Sequence, residues 1–182
     1  MMFSTIVLAG GQSTRMGQDK ASLSFLGQPL WQRQQALAQR LGSDDIHISH
    51  PQFGQPDRVP GFGPLSGLDT LLPQCRHAQI LVLAVDMPHL QPASLRLLLQ
   101  YAPATSVCFS DSVLPCVLWN DTALRDLIRE RLHPQGQRSV YRLLQSLNAE
   151  FIPCPFPDQL INTNTPEQWQ QALASAHLPE AI

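Results

Sequence analysis

The chain has 182 residues, enough for one domain with a sizeable core, and 43% are hydrophobic while only 14% are charged. A formal net charge of −2 and a pI near 6.3 leave no basic footprint for a nucleic-acid backbone. No apolar run approaches the roughly 20 residues of a membrane helix, and Met1-Met2-Phe3-Ser4 lacks the basic segment of a signal peptide.

Residues 4–9 form a short apolar, β-branched run stopped by Gly10 and Gly11, the pattern of a buried strand. Residues 29–41 read as a helix, with Pro29 near its first turn, Gly42 past its end, and Leu30, Leu37 and Leu41 at helical spacing. Residues 46–49 read as a second strand, with Asp44-Asp45 as a solvated loop before it, and residues 65–72 as a short helix. Residues 79–85 hold the strongest buried-strand signal, Ile80-Leu81-Val82-Leu83-Ala84-Val85. A helix over 92–99 follows, then strands over 105–109 and 115–119 and a helix over 121–132. Residues 139–147 read as helical and 150–152 as a strand. The last helix is marked by Thr165, Pro166 and Gln168, a T-x-x-Q capping box with proline at the first helical position. Alternation of this kind predicts an α/β domain over residues 1–182, with a mostly parallel sheet between helices on both faces. Ligands of such sheets sit outside the carboxyl ends of the strands, which singles out the loop after Ala9 and the turn after Val85.

The first of these loops runs Leu8-Ala9-Gly10-Gly11-Gln12-Ser13-Thr14-Arg15-Met16-Gly17-Gln18-Asp19-Lys20. Glycines let successive N–H groups approach an anion, and Arg15 and Lys20 add charge suited to phosphate. It is neither a P-loop, lacking G-K-[ST], nor a dinucleotide fingerprint, lacking G-x-G-x-x-G. Glycines alone fit a plain strand-to-helix turn equally well. Lys20, however, is the only lysine among twelve basic residues. Asp86 follows the central strand directly. A carboxylate there suits Mg²⁺ shared with substrate phosphates, and also suits a cap on the next turn.

The four cysteines, Cys75, Cys108, Cys116 and Cys154, lack C-x-x-C spacing and are expected to be reduced, packed thiols of a cytoplasmic protein. No His/Cys set shows zinc-ligand spacing.

Together these residues resemble the molybdenum cofactor guanylyltransferase family, within the nucleotidyltransferases of Rossmann-like fold. The first motif carries the resemblance through Gly27-Gln28-Pro29-Leu30-Trp31. It resumes at Gly63-Pro64-Leu65-Ser66-Gly67, at Val85-Asp86-Met87-Pro88, and at Ile161-Asn162-Thr163-Asn164-Thr165-Pro166-Glu167. The resemblance implies transfer of GMP from GTP to molybdopterin-bound molybdenum, with release of pyrophosphate. It places Leu8, Ala9, Gly10 and Gly11 on the nucleotide, Lys20 on the phosphates with Arg15 beside it as catalytic cations, and Asp86 on Mg²⁺ and nucleotide. Asn162, Asn164 and Arg138 are assigned to the pterin side. Implied partners are GTP, the molybdopterin-bound cofactor, and proteins that hand over or receive it; nucleic acid and membrane are not among them. Two positions depart from the family: Ser49 stands where an asparagine is usual, and Asp57 is the one aspartate in a shortened segment, 51–63, before G-P-L-x-G. CTP-using relatives carry alanine at the position of Gly10, so glycine here leaves room for a purine. Cytidylyl transfer and a nucleotide-binding accessory protein without turnover are the alternatives.

Overall fold

The computed structural model describes residues 2–10, 19–101 and 105–176. Strand β1 (Ser4–Leu8) places Ile6 and Val7 on opposite faces of the sheet, both fully buried. A 3-10 turn (Lys20–Ser22) follows, N-capped by Asp19, whose side chain accepts from the Ala21 N–H. A small hairpin, β2 (Ser24–Phe25) and β3 (Gln28–Pro29), leads into helix α1 (Leu30–Arg40). Its two-residue turn holds Leu26 and Gly27 at φ 51° and 81°, and positive φ at both positions matches the twist of paired strands.

The chain continues through β4 (Asp45–Ser49), α2 (Pro64–Leu71), β5 (Gln79–Ala84), α3 (Pro92–Tyr101), β6 (Val107–Phe109), β7 (Ser112–Trp119), α4 (Thr122–Arg131), α5 (Val140–Ser146), β8 (Glu150–Ile152) and α6 (Pro166–Ser175). Six strands form one sheet in the order β4-β1-β5-β7-β6-β8. Pairings β1–β4, β1–β5 and β6–β8 are parallel, while β7 runs against both β5 and β6. The sheet is therefore mostly parallel, as expected, with one reversed strand.

Alternate residues of each strand feed two cores. Val7, Leu81 and Leu83 pack with Leu30 and Leu37 of α1, Leu95 and Leu98 of α3, and Trp169 of α6. Ile6, Ile80 and Val82 pack with Leu65 and Leu68 of α2, Leu124 and Ile128 of α4, and Leu143 of α5. A strand buried on both faces reads as a continuous apolar run, which is why β5 was so clear in sequence.

Three expectations change. β7 begins at Ser112 rather than residue 115, because Ser112 pairs with Phe109 of β6 across a shift in register. The β2–β3 hairpin had no signal, each strand being two residues long. Asp45 is not a solvated loop residue: it opens β4, is 9% exposed, and accepts from Ser4 Oγ at 2.6 Å and the Arg76 N–H at 2.7 Å.

Candidate active site

The sheet order changes direction at β1, since β4 lies on one side of it and β5 on the other. At the carboxyl ends of these three strands lies a cavity of about 340 Å³, where an open α/β sheet is expected to hold its ligand. Leu8, Ala9 and Gly10 from β1, Ser49 from β4, and Ala84, Val85 and Asp86 from β5 form its base. Asp57, Gly63, Pro64 and Gly67 form one wall, and Ser112, Val113 and Leu114 of β7 form the other. Lys20 and Asn162 complete the lining.

Charge converges within this cavity. Lys20 Nζ donates to Asn164 Oδ1 at 2.7 Å and lies 3.5 Å from Asp86 Oδ2. Both charged side chains are about one-fifth exposed, 18% and 21%, so the pair is shielded from solvent but reachable by a ligand. Such an ammonium presents a compact charge to phosphate oxygens. The Asp86 carboxylate supplies hard oxygen beside it, a donor that fits Mg²⁺, with phosphate oxygens and water making up the remaining ligands.

Asp86 is held through its backbone and its neighbours. Thr163 donates to the Asp86 carbonyl twice, from its backbone N–H at 2.9 Å and from Oγ1 at 3.1 Å. From α1, Gln34 Nε2 donates to the Ala84 and Met87 carbonyls at 3.2 and 3.0 Å, and Arg33 Nε donates to the Pro88 carbonyl at 2.9 Å. The turn after β5 therefore has no ladder partner to spare, yet its carbonyls are satisfied from three sides. Gln34 is 1% exposed. It lies four residues after Leu30 and three before Leu37, a polar side chain at core spacing on an apolar helix face, and that misfit was its signal.

Ser49 and Asp57, the two departures from the family pattern, meet. Ser49 Oγ donates to Asp57 Oδ1 at 2.6 Å, and both line the cavity. The shortened segment thus still delivers a carboxylate to this wall. Two glycines make room for the arrangement. A Cβ on Gly67 would stand 2.8 Å from Ser49 Oγ and 2.8 Å from Leu8 Cδ2, and one on Gly10 would stand 3.2 Å from the Ser49 carbonyl oxygen.

Leu8, Ala9, Gly10, Lys20, Asp86 and Asn162 are therefore brought to one cavity, with Asn164 on Lys20. Gly11 and Arg15 lie outside the described residues. Arg138 is not in the lining: it donates to the Gly61 and Pro134 carbonyls and lies over the Phe62 ring at 4.7 Å. It braces the loop before α2 instead. His89, close to Asp86 in sequence, is half-buried. It packs edge-on to Phe25 and, with burial first and the Arg33 charge second, is pushed below the usual histidine range. Sequence reasoning missed Gly67 as a close-approach site and the β7 wall, whose residues carry no motif.

At the far end of β4, Asp45, His47 and Cys75 bring ligand atoms within 4.8 Å of one another, although no zinc-like spacing was visible in sequence. Their chemistry is already committed. Asp45 Oδ1 accepts from or faces His47 Nε2 at 3.1 Å and Arg76 Nε at 3.3 Å, and Oδ2 is taken by Ser4 and Arg76. Burial, reinforced by the Asp45 charge, pushes the Cys75 thiol up to about 12. Burial likewise pushes Cys108 up to about 12 and raises Cys116 and Cys154. All four are free thiols. No described helix is long and apolar enough to cross a membrane.

Comparison with known proteins agrees with this geometry. The MobA-like NTP transferase domain family matches residues 5–151. The chain is 36% identical over 175 residues to a molybdenum cofactor guanylyltransferase of Xanthomonas euvesicatoria, covering 92% of this chain and 93% of that protein. It is 33% identical over 185 residues to a molybdenum cofactor guanylyltransferase of Pseudomonas fluorescens SBW25, covering 92% of each. Among solved structures, a nucleotidyl transferase from Methanothermobacter superposes with a TM-score of 0.71 at 18% identity, over 96% of this chain and 97% of that one. The molybdopterin-guanine dinucleotide biosynthesis protein A of Archaeoglobus fulgidus superposes with a TM-score of 0.65 at 19% identity, over 94% and 97%. The chain belongs to the MobA-like NTP transferase family, in the branch of the molybdenum cofactor guanylyltransferases.

Proposed function

We propose that this chain, as one domain over residues 1–182, transfers GMP from GTP to the molybdopterin-bound molybdenum cofactor and releases pyrophosphate. The observation that carries the reading is the convergence of Lys20, Asp86 and Asn164 beside a cavity floored by Leu8, Ala9 and Gly10. The acceptor is a phosphate already ionised near neutral pH, so the reaction needs alignment and charge neutralisation rather than a general base. Lys20 neutralises phosphate charge, and Arg15 of the same glycine-rich sequence is assigned the same task. Asn162 and Asn164 sit where the acceptor approaches. Asp86 would hold Mg²⁺, which when bound supplies Lewis-acid stabilisation of the phosphoryl oxygens.

Asp57 supports guanine as the base. Its carboxylate accepts, and a guanine edge offers adjacent N1–H and N2–H donors, whereas cytosine offers one amine beside two acceptors. The absence of a side chain on Gly10 adds room at the same place. Four free thiols support a cytoplasmic setting, where the protein would meet those that hand over and receive the cofactor.

Thermal melting with GTP, CTP, ATP and UTP, each with and without Mg²⁺, tests the reading. Ligand at about 100 times Kd stabilises the native state by roughly 2.7 kcal/mol. A rise specific to GTP and enlarged by Mg²⁺ is expected, followed by guanine dinucleotide formation in the complete assay. A rise with CTP alone would move the assignment to cytidylyl transfer, a rise without product would leave a nucleotide-binding accessory protein, and no rise with any nucleotide would overturn the reading.

A further inference from the structure

We infer that His50 is a positioning residue for Lys20, acting through Asp19. This rests on the reading of Lys20 as the phosphate-binding lysine, although the contact itself does not.

His50 follows β4 and is 6% exposed. Its Nδ1 faces two backbone donors, the N–H groups of Gln52 at 3.1 Å and Phe53 at 3.3 Å. A ring nitrogen that receives two N–H groups carries no proton of its own, so in neutral imidazole the proton sits on Nε2. Nε2 lies 3.0 Å from Asp19 Oδ2 and donates to it. The ring is clamped in plane: Phe53 stacks on it at 4.6 Å and 17°, and Trp31 of α1 stacks on Phe53 at 5.0 Å and 8°.

Asp19 in turn organises the turn that carries Lys20. Oδ1 accepts from the Ala21 N–H at 3.0 Å, and Oδ2 also accepts from Ser22 Oγ at 3.1 Å. Asp19 is adjacent to Lys20 and about one-third exposed, 35%, and of its three side-chain partners only His50 lies outside the turn itself. The buried imidazole ties the lysine-bearing turn to the end of β4. There the neighbouring Ser49 donates to Asp57. One strand end thereby contacts both the turn that carries the cation and the carboxylate assigned to the base.

Two substitutions separate this role from simple bracing of the 50–55 turn. His50→Asn retains an acceptor at the position of Nδ1 but falls short of Asp19. His50→Gln retains a donor at the position of Nε2 but gives up the Nδ1 acceptor. Because Lys20 is the only lysine, protein grown on ε-¹³C-lysine gives a single side-chain resonance that reports its surroundings without any nucleotide. We expect His50→Asn to move that resonance toward the unfolded-chain value and to lower kcat/KM for GTP at least about ten-fold, mainly through KM. His50→Gln is expected to keep both near wild type. Asp19→Asn sets an amide N–H against the imidazole N–H without altering the buried ring, and should reproduce the His50→Asn result. An unmoved resonance in all three variants overturns the inference, as does a native-like His50→Asn beside a damaged His50→Gln whose melting temperature falls in step. If wild type fails to transfer GMP while the lysine resonance behaves as stated, the proposed function fails and the positioning role stands.

Discussion

At the scale of single residues, the cavity divides its work between two carboxylates with different surroundings. Asp86 stands 3.5 Å from Lys20, and its turn is fixed by Gln34, Arg33 and Thr163. Asp86→Ala removes the oxygen donor proposed for Mg²⁺ while leaving those backbone bonds intact. Turnover should therefore fall by about a thousand-fold or more with little change in melting temperature, checked by the dinucleotide assay and calorimetry. Asp57 lies in one wall with Ser49 as its donor. Asp57→Asn substitutes an amide that both donates and accepts, so kcat/KM for GTP should fall at least about ten-fold while that for CTP changes less. Parallel kinetics with both nucleotides measure the difference. Lys20 and Asp86 were readable in sequence because one is the only lysine, in a glycine-rich loop, and the other follows a strand end at a ligand-binding edge. Asp57 was not, because the segment that brings it to Ser49 is irregular and its alignment depended on a contact between β4 and a loop. The contacts of Arg138 with the Gly61 and Pro134 carbonyls were not legible either, because an arginine near a glycine looks the same in sequence whether it faces a ligand or a carbonyl.

At the scale of elements, α6 does more than cover the sheet. Its capping box is complete: Thr165 Oγ1 accepts from the Gln168 N–H, and Gln168 Oε1 accepts from the Thr165 N–H at 3.1 Å. The same Oε1 accepts from the Asn164 N–H at 2.7 Å. The helix start therefore holds the residue whose side-chain oxygen accepts the Lys20 hydrogen bond. Thr165→Ala should cost about 1 kcal/mol, read as a lowered urea midpoint with unchanged slope. The capping box, like β5 and the apolar face of α1, was legible because local chemistry sets it. The β2–β3 hairpin and the start of β7 were not, because their pairing depends on partners elsewhere and their residues carry little propensity.

At the scale of the whole molecule, the two ends of the sheet serve different purposes. Ligand chemistry gathers at the carboxyl ends of the strands, while Asp45 at the amino end of β4 ties β1 to the 75–77 segment through Ser4, Arg76 and His77, whose N–H donates to Ser4 Oγ. Burial alone would raise the Asp45 carboxyl. The hydrogen bonds from Ser4 and Arg76 and the His47 charge outweigh it and lower the value from 3.8 to about 2. A carboxyl held lower in the folded state contributes stability above pH 4, and that contribution drains away as pH falls through about 2. The linkage amounts to roughly 2 kcal/mol. Asp45→Asn should lower stability by about that much at pH 6, and the gap from wild type should narrow steadily between pH 4 and pH 2, followed by urea titration at each pH. The layered α/β architecture was legible in sequence because its periodicities are local. This brace was not, because Asp44-Asp45 reads as polar surface until Ser4 and Arg76 are seen around it.

The contact between Lys20 and Asn164 spans 144 residues, and it sets a schedule for synthesis. A ribosome adding about 5–20 residues per second needs on the order of 7–30 s to move from one partner to the other. During that interval the glycine-rich loop and the first strands exist without the asparagine that steadies the lysine. The lysine therefore acquires this partner only after every strand of the described sheet has been synthesised.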